Sequence, residues 1–146
     1  MDTFAPHGTP REEDGEVGDK LVSYQQARVA SSVGLIITED ISTHVIFDNL
    51  NRFIIASDPR VIPGDKKLAQ RCHHFGTLIF GQLFHAGVSI KSFPEGSRRI
   101  VFARSSTPQQ RYGSTPLPAF NDLIWEWIDA YGCSVRNCAE GELDDT

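Results

Sequence analysis

The 146-residue chain has no apolar run that approaches the roughly 20 residues needed to cross a bilayer. It also has little basic charge: 14 Lys and Arg stand against 19 Asp and Glu, for a formal net charge of -5. That balance argues against a nucleic-acid surface or a polybasic membrane patch. Cysteine is scarce. Cys72, Cys133 and Cys138 form no C-x-x-C pair. An odd number of unpaired spacings favours reduced thiols in a cytosol, with all three as small buried or half-buried side chains. The segment Met1–His7 has no basic region followed by an apolar one. A secretory signal is therefore not expected, and a cytoplasmic location is. No G-x-S-x-G occurs, so a nucleophile elbow is not supported. No G-x-G-x-x-G follows a strand, and the five histidines show no H-x-x-x-H or H-x-x-E-H pattern. A Rossmann dinucleotide site and a zinc or iron site are thus not indicated.

What is present fits a single globular domain. The chain is long enough to bury a core, and 40% of it is hydrophobic. Its most informative segment is Thr77-Leu-Ile-Phe-Gly-Gln-Leu-Phe-His-Ala-Gly87. The run is apolar and β-prone until it meets Gln82 and His85. A buried strand favours continuous apolar residues, and a polar group at its end needs a partner. In α/β folds, ligands bind at the carboxyl ends of parallel strands.

Residues 1–18 read as loop. Asp19 is placed to cap a helix over about 20–31, with Leu21, Tyr24 and either Ala27 or Arg28 at helical spacing. Val33–Thr38 is a short apolar run typical of a strand buried on both faces. Residues 40–60 read as a long loop. Pro63 opens a second helix whose apolar side is Leu68, Ala69 and Cys72. Gly76 stands where a terminating glycine belongs, and a strand over 77–83 follows. Strand, loop, helix and strand in about 50 residues make a βαβ unit. Residues 88–119 are rich in Ser, Pro and Arg. They form a long loop or hairpin excursion, with a short strand at Arg99–Phe102. Asn121 is placed to cap a third helix over 122–139, with Ile124, Trp127, Ile128, Tyr131 and Val135 on one face. The final residues, from Ala139 on, fall where a βα protein would begin its next strand.

The polar groups at the strand ends allow more than one reading. Gln82 is either a structural amide bonded to a neighbouring loop or an amide facing a heteroaromatic ring. One acceptor and two donors suit such a ring. His85, on the opposite strand parity, can be structural, an acid or base, a donor to substrate, or a ligand. Thr38-Glu39-Asp40 can supply acid/base chemistry or cap the next loop.

Several motifs then occur in order. They are Ala5-Pro-His-Gly-Thr9, Asp14-Gly15, Tyr24-x-x-Ala-Arg28, Val33-Gly-Leu-Ile-Ile-Thr-Glu39, Pro63-Gly-x-Lys-Lys-Leu-Ala69, His73-x-x-Gly76 and Phe80-Gly-Gln-Leu-Phe-His-Ala-Gly87. Pro118-x-Phe-Asn and Ala139-Glu-Gly-Glu-Leu-Asp144 complete the set. Together they resemble the old yellow enzyme family, in its NADH:flavin oxidoreductase branch related to 2,4-dienoyl-CoA reductase. The resemblance covers nearly the whole chain. It implies an α/β fold, a partial (β/α)8 TIM barrel of about the first three βα units. The 146 residues would then be one incomplete domain: loop 1–18, βα core 19–87, excursion 88–119 and helix 120–140.

The resemblance also implies FMN as cofactor and NAD(P)H as reductant. Gln82 matches the family glutamine that bonds the flavin pyrimidine ring. Ala5 and Pro6 match the first-strand end whose backbone touches the flavin. Asp40 matches a position that usually carries Ala or Gly against the ring, and His85 a histidine near the cofactor pocket, on the substrate side. The family's substrate-anchoring pair and FMN phosphate site match nothing here. The Arg that commonly follows His-x-Gly is replaced by Val88. The expectation is a truncated ene-reductase-type domain with no catalytic residue of its own and no turnover alone. Open strand edges imply either self-association or a complementing chain.

Overall fold

A computed structural model describes residues 2–8, 14–44, 53–85, 87, 101–108 and 115–146. Strands β1 (Thr3–Phe4), β2 (Leu35–Ser42) and β3 (Leu78–Phe84) form a parallel sheet in the order β1-β2-β3. Helix α1 (Asp19–Val29) joins β1 to β2, and α2 (Ile62–His74) joins β2 to β3. A second, two-stranded sheet pairs β4 (Phe102–Ala103) with β5 (Leu117–Pro118) in parallel. It is therefore not a hairpin. The long helix α3 (Asn121–Glu140) follows.

One face of the sheet makes the core. Ile36 of β2 and Ile79 of β3 are register partners, and both are fully buried. They join Leu21, Val22 and Val29 of α1, Leu68, Ala69 and Cys72 of α2, and Cys138 of α3 in one apolar cluster. The three helices thus share one side of the sheet, as in a barrel wall; a doubly wound fold covers both sides. Leu35, Ile37, Leu78 and Phe80 alternate onto the other face and are less buried, with Leu78 exposed.

The element ends differ from the sequence expectation in detail. Gly18 is the N-cap of α1 and Asp19 its first residue, where the carboxylate pairs with Lys67 instead of capping. The buried positions of α1 are Leu21, Val22, Gln25 and Val29. Phe120, not Asn121, is the N-cap of α3. β2 runs on to Ser42, so Asp40 belongs to a strand and not to the loop expected over 40–60. The strand expected at Arg99–Phe102 is observed at Phe102–Ala103, and residues 99–100 lie outside the described residues. The apolar stripe on α3 is real but, apart from the half-buried Trp127, faces outward. Ile124, Ile128, Tyr131 and Val135 are exposed, while Leu123, Ser134 and Cys138 are buried. A helical period shows that a face is apolar; it does not show which neighbour covers it.

The C-terminus continues the parallel pattern. Asp145 bridges to Phe80 in parallel on the free edge of β3. Gly81 N–H donates to Asp145 O at 2.8 Å, and Asp144 N–H donates to Ile79 O at 2.9 Å. Gly81 permits this approach. A Cβ there would stand 3.1 Å from Thr146 Cγ2 and 3.3 Å from Leu143 Cδ1. The Asp144 side chain anchors the same corner. Its Oδ2 accepts from Ile79 N–H at 2.8 Å and from His73 Nε2 at 2.9 Å.

Candidate functional site

The site begins with an irregularity in β2. Ile37 pairs with Phe80, but the next pair is Asp40 with Gln82. Thr38 and Glu39 therefore both oppose Gly81, which is a one-residue β-bulge. Without it, Asp40 would share the parity of Ile36 and point to the helix side. With it, Asp40 comes directly opposite Gln82, on the face that carries Leu35, Ile37, Leu78 and Phe80. The bulge leaves a ladder donor without its usual carbonyl. Thr38, itself buried, fills the gap: Gln82 N–H donates to Thr38 Oγ1 at 2.9 Å.

The Gln82 side chain has no such satisfaction. Its Oε1 is buried and has no hydrogen-bond partner among the described residues. A buried amide oxygen left bare costs roughly 1–3 kcal/mol, so the residue fits a ligand that brings an N–H to this face. Asp40 is half-buried, and none of the described cations pairs with it. Ala5 and Pro6 follow the end of β1 and are exposed. The β1–β2 register, Phe4 beside Ile36, brings Ala5 level with Ile37. Ala5 is thus level with Phe80, two residues before the Asp40–Gln82 pair.

His85 is placed differently. It lies just past β3, and its ring packs edge-on against Trp127 of α3 with centroids 4.4 Å apart. Gly87 N–H donates to His85 Nδ1 at 3.2 Å, so the neutral ring carries its proton on Nε2. Burial, reinforced by the nearby His44, pushes its pKa below the ordinary histidine value. His44 is buried and its Nε2 lies 2.8 Å from Glu126 Oε1. Nothing in the residue pattern signals this His44–Glu126 pair. Its members are 82 positions apart, and only the packing of α3 against the ends of β2 and β3 joins them. Among the described residues, no group of three or more His, Cys, Asp or Glu could hold a metal ion. No helix among them is long and apolar enough to cross a membrane.

A parallel sheet backed by helices on one side, with a bulge and a bare amide toward its strand ends, fits one wall of a (β/α)8 barrel. No protein-family model matches the chain. The NADH oxidase of Thermoanaerobacter brockii is 30% identical over 91% of this chain and 20% of its own. The old yellow enzyme homologue of Zymomonas mobilis superposes with a TM-score of 0.78 at 21% identity, over 98% of this chain and 42% of that one. Morphinone reductase, solved with tetrahydroNAD, gives 0.81 at 21% identity, over 98% and 43%. Over nearly its whole length the chain is similar to an NADH oxidase, and its fold is that of the old yellow enzyme homologues. It spans about a fifth of the length of the curated oxidase it matches.

Proposed function

We propose that residues 1–146 form a single incomplete barrel domain that supplies one wall of an FMN site in an NAD(P)H-dependent, ene-reductase-type oxidoreductase. The buried, unpartnered Oε1 of Gln82 carries this reading. In this reading it is the acceptor that a flavin pyrimidine N–H would meet, and Thr38 holds the backbone beneath it. The main chain of Ala5 and Pro6 lines the site, and Asp40 stands beside Gln82. His85, packed edge-on against Trp127, contributes at the substrate side. When bound, FMN would supply hydride transfer from NAD(P)H to an activated C=C bond. The residues of this chain bind and orient; none is assigned a proton or hydride transfer. The net charge of -5 gives no support to a nucleic-acid partner, and the reduced thiols suit a cytoplasmic location.

The test is flavin binding by the purified chain, read from FMN absorbance and fluorescence, alongside NADH oxidation. Binding that weakens at least about ten-fold in Gln82→Leu is expected, one bare buried acceptor being worth about that much. No NADH turnover is expected from the chain alone. Turnover by the isolated monomer, or binding indifferent to Gln82, would refute the reading.

A second reading, non-catalytic association, is favoured by one observation. The exposed stripe Ile124, Ile128, Tyr131 and Val135 adjoins no covering element among the described residues. Light scattering decides it. A clean monomer with cooperative unfolding counts against association through this face or the open strand edge.

A further inference from the structure

We infer that Asp40 makes this strand-end site selective for oxidised over reduced flavin. The inference rests on the flavin reading of Gln82 and deepens it. Three observations carry it. The bulge at Thr38–Glu39 turns Asp40 from the helix side to the side of Gln82. Register then sets the two residues directly opposite each other, at the roughly 5 Å between Cβ atoms of paired strand residues. No described Lys, Arg or His forms an ion pair with the Asp40 carboxylate.

A ring whose edge meets the Gln82 amide therefore has a carboxylate within one side-chain length. The oxidised isoalloxazine is neutral. The two-electron-reduced ring is an anion near neutral pH. Repulsion acts on the second and spares the first. Over a separation of roughly one side-chain length, ~5–8 Å, in a half-buried site, two like charges repel enough to weaken binding by about ten-fold or more, whereas a charge and a neutral group do not. The bare Gln82 Oε1, an acceptor, adds nothing that would favour the anion.

Riboflavin is the probe, since it presents the ring without the phosphate. Its binding to the full chain is measured by fluorescence, or by equilibrium dialysis for the dithionite-reduced form under argon. The wild-type chain should bind the oxidised form about ten-fold or more tightly than the reduced form. Asp40→Asn should close that gap by strengthening the reduced complex and leaving the oxidised one within about two-fold. An unchanged ratio in Asp40→Asn, with Gln82→Leu still weakening both forms, would overturn the role of Asp40 and leave the flavin reading standing. Failure of both the wild-type chain and Asp40→Asn to bind either form would overturn the flavin reading and this inference with it.

Discussion

Asp65 gives the sharpest stability prediction. Its carboxyl is 2% exposed, and burial pushes its pKa up to about 7. Two helix ends meet there: Asp65 lies in the first turn of α2, and Gly141 closes α3 so tightly that a Cβ on it would stand 2.6 Å from Asp65 Cβ. The positive end of one dipole and the negative end of the other act on the carboxyl in opposite senses. Desolvation is left in control. A carboxyl with a raised folded pKa binds more protons in the native state than in the unfolded state between about pH 4 and 7. Stability therefore falls as pH rises through that window and levels off above it. A rise from 3.8 to about 7 corresponds to an upper bound of about 4 kcal/mol. Asp65→Asn removes the titration and leaves an amide whose burial costs about 1–3 kcal/mol without a partner. Urea denaturation from pH 4 to 8 should show the wild-type chain losing stability relative to Asp65→Asn. The two should cross, with the variant ahead by about 1–3 kcal/mol at pH 8. His85, whose folded pKa is lowered, contributes a trend of opposite sign below its unfolded value, and it cancels in the comparison. Parallel pH curves for the two proteins would refute the argument.

Other outcomes follow from the same geometry. Asp144→Ala should cost about 1–3 kcal/mol, because Ile79 N–H and His73 both lose their acceptor; faster hydrogen exchange at Ile79 would locate the loss. Burial works to raise the Asp144 pKa. The Ile79 N–H and then His73 overcome it and hold the value below the usual carboxylate range. That stabilisation is present above about pH 4 and disappears as pH falls through the folded pKa. Gly64→Ala should destabilise by about 1–3 kcal/mol, since its Cβ would lie 2.5 Å from Val17 O; a variant equal to wild type in thermal melting would show that α2 can shift. Nitrogen NMR of His85 should report an Nε2–H tautomer and a pKa below that of a free histidine. His44→Gln should raise that pKa, and no change would remove His44 as a contributor.

Much of the scaffold is legible in the residues. The apolar run ending at Gln82 is a strand, and Leu68, Ala69 and Cys72 do face the core. Gly76, at φ +72°, follows the end of α2, as a terminating glycine should. What is not legible has physical causes. A one-residue bulge leaves no mark on composition, so the side on which Asp40 lies cannot be read from alternation in Thr-Glu-Asp. The helix starts are offset by one residue: Asp19 and Asn121 are the first helical residues, and Gly18 and Phe120 precede them as caps. On α3 the stripe from Ile124 to Val135 carries the strongest period, yet the packed side rests on Leu123, Cys138 and Ser134, whose hydroxyl bonds Ala130 O. Small side chains pack closely without announcing themselves.

The Asp145–Phe80 bridge has a kinetic meaning. Starting a parallel strand is slow, because a long connection must close before any ladder bond forms. Here α3 has already made that closure, and two ladder bonds already hold Asp144 and Asp145 against β3. Polypeptide extending beyond Thr146 would meet a seeded seam and add rungs one at a time along Gln82, Leu83 and Phe84. Growth of the sheet at this edge is elongation from an existing nucleus, and the residues reached first are those of the candidate flavin wall.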